Sequence, residues 1–174
     1  QANGSANPIA QTLTNTGTSA GVIRYTVIPT AAGCPGSSFT VDVTVNPTAT
    51  VNAVASQTLC SGAPTTAVNF SSPTTGGNIV YNWSNNNTAI GLGASGIGDI
   101  PSFMATNPGL TTISGIITVT PTYTNLGGGP ACVGTSTSFT INVKPLPTLS
   151  GALTQTPTCV STYGSITLPQ TATV

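Results

Sequence analysis

Only four side chains in this 174-residue chain carry charge at neutral pH: Arg24, Asp42, Asp99 and Lys144. There is no histidine and no glutamate. Enzymes that move protons near pH 7 rely on groups of just these kinds, and a Ser-His-Asp triad is impossible without histidine. A carboxylate pair would have to be Asp42 with Asp99, and glycosidase-type chemistry needs two carboxylates across one scissile bond. Calcium sites gather several acidic oxygens, and no acidic cluster exists here. Gly91-Leu92-Gly93-Ala94-Ser95-Gly96-Ile97-Gly98 resembles a phosphate-binding loop only in its glycines. It lacks the lysine and the following helix pattern, so a flexible loop is expected. The sequence therefore predicts no enzyme, no cofactor and no metal. Asn3, Asn69, Asn82 and Asn86 open N-x-Ser/Thr sequons, which arise by chance in Asn- and Thr-rich sequence.

Four cysteines remain: Cys34, Cys60, Cys132 and Cys159. No two lie close together in sequence, which argues against a shared zinc site. Net charge is zero. That argues against nucleic acid, whose phosphates call for Lys and Arg, and against attraction to an anionic membrane. No apolar run approaches the ~20 residues of a membrane span. No signal peptide is visible, so the chain is expected to be an interior piece of a longer, processed protein.

The elements that must carry these residues are β-strands. Thr occurs 34 times, and Val, Ala, Ser, Asn and Gly supply much of the rest. Thr and Val are β-branched and suit a pleated strand, while Gly, Pro and Asn supply turns. Zero net charge with 38% hydrophobic residues in alternating runs favours folding over disorder, which is expected mostly at the ends.

The chain repeats itself. Ser38-Phe39-Thr40-Val41-Asp42-Val43 returns as Ser138-Phe139-Thr140-Ile141-Asn142-Val143, and Pro47 as Pro147, an offset of 100. Thr14-Asn15-Thr16-Gly17 returns as Thr106-Asn107-Pro108-Gly109, an offset of 92, and Cys34 lies over Cys132. Asp42 matches Asn142, so its charge is no feature of the repeat, and Asp42 and Asp99 fall in different repeats. The predicted organisation is the C-terminal half of an Ig-like repeat at 1–47, a complete repeat at 48–147, and the start of a third at 148–174. A period of about 100 residues is the size of one Ig-type sandwich. The Pro-bearing joins at 46–48 and 144–147 predict stiff beads on a string.

Within the complete repeat, strands are expected at 51–55, 66–70, 79–83, 102–106, 115–123 and 139–143. The fold class is all-β, with tandem Ig-like sandwich modules. Trp83, the only tryptophan, is expected at the centre of the core rather than as a sugar-stacking platform. Cys60 and Cys132 bracket the module early and late, which predicts a disulfide worth about 4 kcal/mol in the chain-entropy model. Cys34 and Cys159 are then left unpaired within the chain, with partners expected before residue 1 and after residue 174.

Several segments are similar to a known family. Asn52 to Gly62, Val80 to Asn86, Ile117 to Pro121 and Phe139 to Val143 resemble the PKD-like repeats of giant secreted surface proteins in Bacteroidetes. Pro157 to Leu168 resembles the start of the repeat named after the gliding adhesin SprB, although Tyr163 stands where an Asp is usual before the Gly. The resemblance implies type IX secretion, display outside the cell attached to its surface, and a role in adhesion or gliding motility as a long filament. It carries no catalytic residues. The implied partners are neighbouring repeats of the same chain, surface polysaccharide, and other cell-surface or secretion proteins. Two alternatives stay open: non-catalytic spacer modules of a secreted multidomain enzyme, and a subunit of a polymerising surface fibre.

Overall fold

The computed structural model describes residues 9–147. The segment at 148–174, with Cys159 and the third module expected there, lies outside the described residues. Among the described residues all regular elements are strands apart from one short 3-10 turn at Thr88–Ile90.

Two strands of the first part, β1 (Gly21–Val27) and β4 (Phe39–Val45), form an antiparallel ribbon running from Gly21 opposite Val45 to Val27 opposite Phe39. Between them β2 (Thr30–Ala31) and β3 (Cys34–Pro35) close a small hairpin. Alternation sorts the ribbon's side chains: Ile23, Tyr25, Val27, Phe39, Val41 and Val43 share one face, and Arg24, Thr26, Thr40 and Asp42 the other.

The second part is built on one six-stranded sheet. Its strands are β5 (Gln57–Cys60), β6 (Gly77–Asn85), β7 (Ser95–Ile97), β8 (Ile113–Asn125), β9 (Cys132–Val133) and β10 (Thr137–Lys144). The order is β5-β10-β8-β6-β7, with β9 continuing the line of β10 along β8. All pairs are antiparallel except β5 with β10, which run parallel.

β8 explains why this sheet has one dry face. Its burial alternates over thirteen residues, with Gly115, Ile117, Val119, Pro121 and Tyr123 inward and Ser114, Thr118 and Thr120 outward. Phe139, Ile141 and Val143 of β10 add the next row. The covering layer is irregular. Residues 63–68 and 100–105 run antiparallel, bonded from Thr65 N–H to Phe103 O (2.9 Å), between Val68 and Ile100 in both directions, and from Ala105 N–H to Ala63 O (3.0 Å). Val68, Phe70, Ile90, Leu92 and Ile100 descend from this layer onto the sheet. The result is an all-β, Ig-like sandwich with one full sheet and one sparse one. Each of these apolar side chains, fully buried, contributes about 1.5–3 kcal/mol.

Expectation and structure differ in three places. Residues 51–55 form no strand: Val51 and Val54 pack on the core, but the backbone is irregular. The alternation there records burial, not a ladder. The segments at 66–70 and 102–106 pair only through isolated bridges, Val68–Ile100 and Pro64–Met104. Trp83 is half-buried at the margin of the core, not at its centre. Its indole lies over Gly96 of β7, where any side chain would collide with the ring. The centre belongs to Ile90, Ile117, Val119, Ile141 and Val143, all at 0% exposure. Aliphatic side chains from two layers interdigitate there, and a ring as wide as indole fits better at the sheet edge.

Candidate functional site

The groups singled out for chemistry are scattered. Arg24 and Asp42 face each other across the ribbon and form a two-pronged ion pair, Nε to Oδ1 at 2.7 Å and Nη2 to Oδ2 at 2.8 Å. The guanidinium holds the Asp42 carboxyl below its ordinary pKa, and the carboxylate raises that of Arg24. Both side chains are well exposed, so the pair belongs to the solvent face of the ribbon. Asp99 does something different: its Oδ1 accepts the Phe70 N–H at 2.8 Å, tying the covering layer together. Burial, with Asp99 nearby, raises the pKa of the Tyr81 phenol, which stays protonated at neutral pH. Among the described residues, no three His, Cys, Asp or Glu side chains gather as a metal site.

The glycine run at 91–98 is a pinned loop, not a free one. Asn87 caps the 3-10 turn by accepting the Ala89 N–H, and Gly91 closes it in the left-handed region at φ 96°. Leu92 is buried in the core. Asn85, itself buried, donates to the carbonyls of Asn87 and Leu92, both at 3.0 Å, and its own N–H reaches Ala94 O. The two N–H groups of Asn85 Nδ2 are thus spent on the carbonyls of Asn87 and Leu92, with Gly93 O sharing the second at 3.3 Å, and these carbonyls turn inward onto Asn85 rather than toward a ligand.

The predicted Cys60–Cys132 disulfide is absent: both thiols are free, as is Cys34. Cys60 sits beside Lys144, next to the pair Val143–Ile113, whereas Cys132 sits opposite Tyr123. Ten residues of β8 separate those two levels, roughly 30 Å of extended strand. A disulfide needs Cα atoms within about 7 Å. Early and late in the sequence are opposite ends of the sheet, because β9 pairs with the far end of β8. All three thiols should react with a thiol reagent in the folded protein without reductant, Cys34 and Cys60 fastest because they are exposed. A Cys60–Cys132 peptide in a non-reducing digest would contradict this.

The surviving geometric theme is a connection built twice. Asn107 Nδ2 donates to Thr111 O (2.8 Å) and Val143 O (2.7 Å), and its Oδ1 accepts the Gly109 N–H at 2.9 Å. Asn15 Nδ2 donates to Ser19 O and Val45 O, both at 2.8 Å, and its Oδ1 accepts the Gly17 N–H at 2.9 Å. The hairpins agree as well: Ala31 faces Cys34 as Tyr123 faces Cys132. By this pairing Val45 is the counterpart of Val143, an offset of 98 where the sequence motif gives 100. The last strand has slid by two residues, a step that keeps every side chain on its own face.

A PKD-like domain model matches residues 1–49. That span holds the ribbon, the hairpin and the first asparagine clamp, and it supports a PKD-like, Ig-type module there. No curated protein matches the chain. Among the described residues no helix is long and apolar enough to cross a membrane.

The join between the two parts is packed. Pro47 is fully buried and Ala49 is at 0% exposure. Asn125 Nδ2 donates to Asn46 Oδ1 at 2.9 Å, Thr135 N–H to Ala49 O at 3.0 Å, and Thr75 N–H to Thr18 O at 2.7 Å. Gly134 lies so close to the Ala49 carbonyl that a side chain there would meet it. The proline join expected as a simple stiff spacer is therefore also docked onto its neighbour.

Proposed function

We propose that this chain is a structural segment of a long secreted, cell-surface adhesin or filament, its modules serving to extend and attach rather than to catalyse. One observation carries the reading: the segment Asn46–Ala49 is packed against the sheet that follows it, and a join of this kind would hold successive modules in a fixed relation, as a stalk requires. The PKD-like match at residues 1–49 and the repeated clamp support a modular array. The division at 1–47, 48–147 and 148–174, type IX secretion, and kinship with the SprB-type gliding adhesins belong to this proposal. So does the absence of enzyme activity, which rests on the scatter of Asp42, Asp99 and the cysteines.

The intact polypeptide tests it. Mass measurement of the mature protein, with antibody labelling of whole cells, should find a chain of many such modules at the surface. One hydrolase domain joined to a few modules would favour the spacer reading instead.

A further inference from the structure

The β1–β4 ribbon and the β8–β10 pair are the same element in two environments. In the complete module the inner face of β8–β10 is dry and both outer edges are taken. β6 pairs with β8 along Ile117–Asn125, and β5 pairs with β10 along Ile141–Lys144. Val68, Phe70, Ile90, Leu92 and Ile100 fill the face. Among the described residues, the matching face of the ribbon is open. Val41 is 44% exposed where its counterpart Phe139 is 3%, and Phe39 is 55% exposed. Neither ribbon edge has a strand partner among the described residues.

Part of the cover is already present. Residues 9–13 lie over the ribbon, and Tyr25 Oη donates to Gln11 Oε1 at 3.0 Å. They enclose a cleft of about 330 Å³ lined by Ile9, Leu13, Tyr25, Val27, Val41 and Val43. At the offset of 92 these residues correspond to 101–105, the last piece of the covering layer before the asparagine clamp. What the ribbon lacks is everything that residues 48–100 supply to the complete module.

We propose that the open face and both edges of the β1–β4 ribbon form a docking surface for the front half of a module of the same build as residues 48–100, carried on the same polypeptide. The inference rests on the modular reading above. The complete module dictates the register: a β6-like strand antiparallel along Tyr25–Ala31, up to the turn at Ala32–Gly33, and a β5-like strand parallel along 43–46. The incoming apolar side chains enter the cleft between residues 9–13 and the ribbon. Cis supply follows the complete module, where residue 100 runs directly into the segment corresponding to Ile9.

Amide hydrogen exchange tests it, in the full chain and in a chain with an extra copy of residues 48–100 joined directly ahead of Ile9. In the grafted chain, β1 and β4 amides pointing away from each other should slow by about a hundredfold, as partnered strands do. Val41→Asp, on the open face, should abolish that slowing, while Thr26→Asp on the solvent face should leave it intact. Unchanged exchange in the grafted chain would overturn the proposal. So would ribbon amides already slow in the ungrafted chain, or a dimer in sedimentation, since the face would then be covered by this chain or its copy. Equal slowing by free 48–100 peptide at equimolar concentration would overturn the cis source. The readout does not involve attachment to cells, so it can fail while the adhesin reading stands, and the reverse.

Discussion

Beads carrying ten modules should adhere to a target surface about 10²–10⁴ times more tightly than beads carrying one, through effective concentration alone. The surface offered to a partner is rich in exposed Thr, Ser and Asn and nearly free of charge: Arg24 and Asp42 neutralise each other, which leaves only Asp99 and Lys144 as single charges of opposite sign. Each neutral hydrogen bond to such a surface contributes about 1 kcal/mol net. Long-range attraction is absent, so raising salt from about 50 to 500 mM should change attachment by less than about twofold, because there is little charge to screen. The measurement is bead detachment for one, three and ten modules at both salt levels. A single module that held as firmly as ten, or attachment lost in moderate salt, would contradict a distributed grip. It would direct attention to a discrete site, starting with the loop at Asn85 and Gly91.

Asn107→Ala should lower stability by about 3 kcal/mol, since it strips two carbonyls and one N–H of their partner in a buried setting. Val143 O is the most costly, because that bond lies in the core where no water can replace it. For a module of this size the loss corresponds to a fall in melting temperature of about 15 °C. The first copy supplies an internal control. Asn15 makes the same three bonds, but only partly buried, so water can take over the abandoned groups. Asn15→Ala should accordingly cost about 1 kcal/mol. Thermal melts followed by circular dichroism decide the matter. Equal costs at the two positions would mean that burial is not what gives the clamp its value.

Much of the fold could be read from residue order. β6, β8 and β10 lie on their predicted segments because large apolar side chains alternate there: Ile79, Tyr81 and Trp83 in β6, Ile117, Val119 and Tyr123 in β8, Phe139, Ile141 and Val143 in β10. The recurrence of Thr-Asn-x-Gly was legible as a repeat, but that its two asparagines clamp the chain was not. The misplacements share one cause: local pattern reports which residues face inward, not what their backbones bond to. Val51 and Val54 face the core from irregular chain, and residues 66–70 and 102–106 are held partly by side chains such as Thr65, whose hydroxyl accepts the Phe103 N–H at 3.0 Å. The two-residue slide of the last strand was invisible because Ser-Phe-Thr repeats at 100 while the ladder repeats at 98. The disulfide failed for a related reason. Order along the chain placed Cys60 and Cys132 at opposite ends of a module, and only the pairing of β9 with the far end of β8 reveals that these are opposite ends in space too.

The parallel pairing of β5 with β10 matters most when the chain is pulled. These are the first and last strands, in chain order, of the six-stranded sheet, joined from Gln57–Ile141 to Cys60–Lys144 and extended by Ser61 N–H to Lys144 O at 2.8 Å. Traction on the two ends drives parallel strands past each other, so every bond between them is loaded at once and the junction resists in shear. The antiparallel ribbon is arranged the other way. Its chain enters at Gly21 and leaves at Val45, which are partners, so the same traction opens it like a zipper, one pair at a time. Under load, survival is set by the unfolding rate. A strand of such modules would hold its length through the sheared β5–β10 junctions, and an uncovered ribbon would be the first link to give.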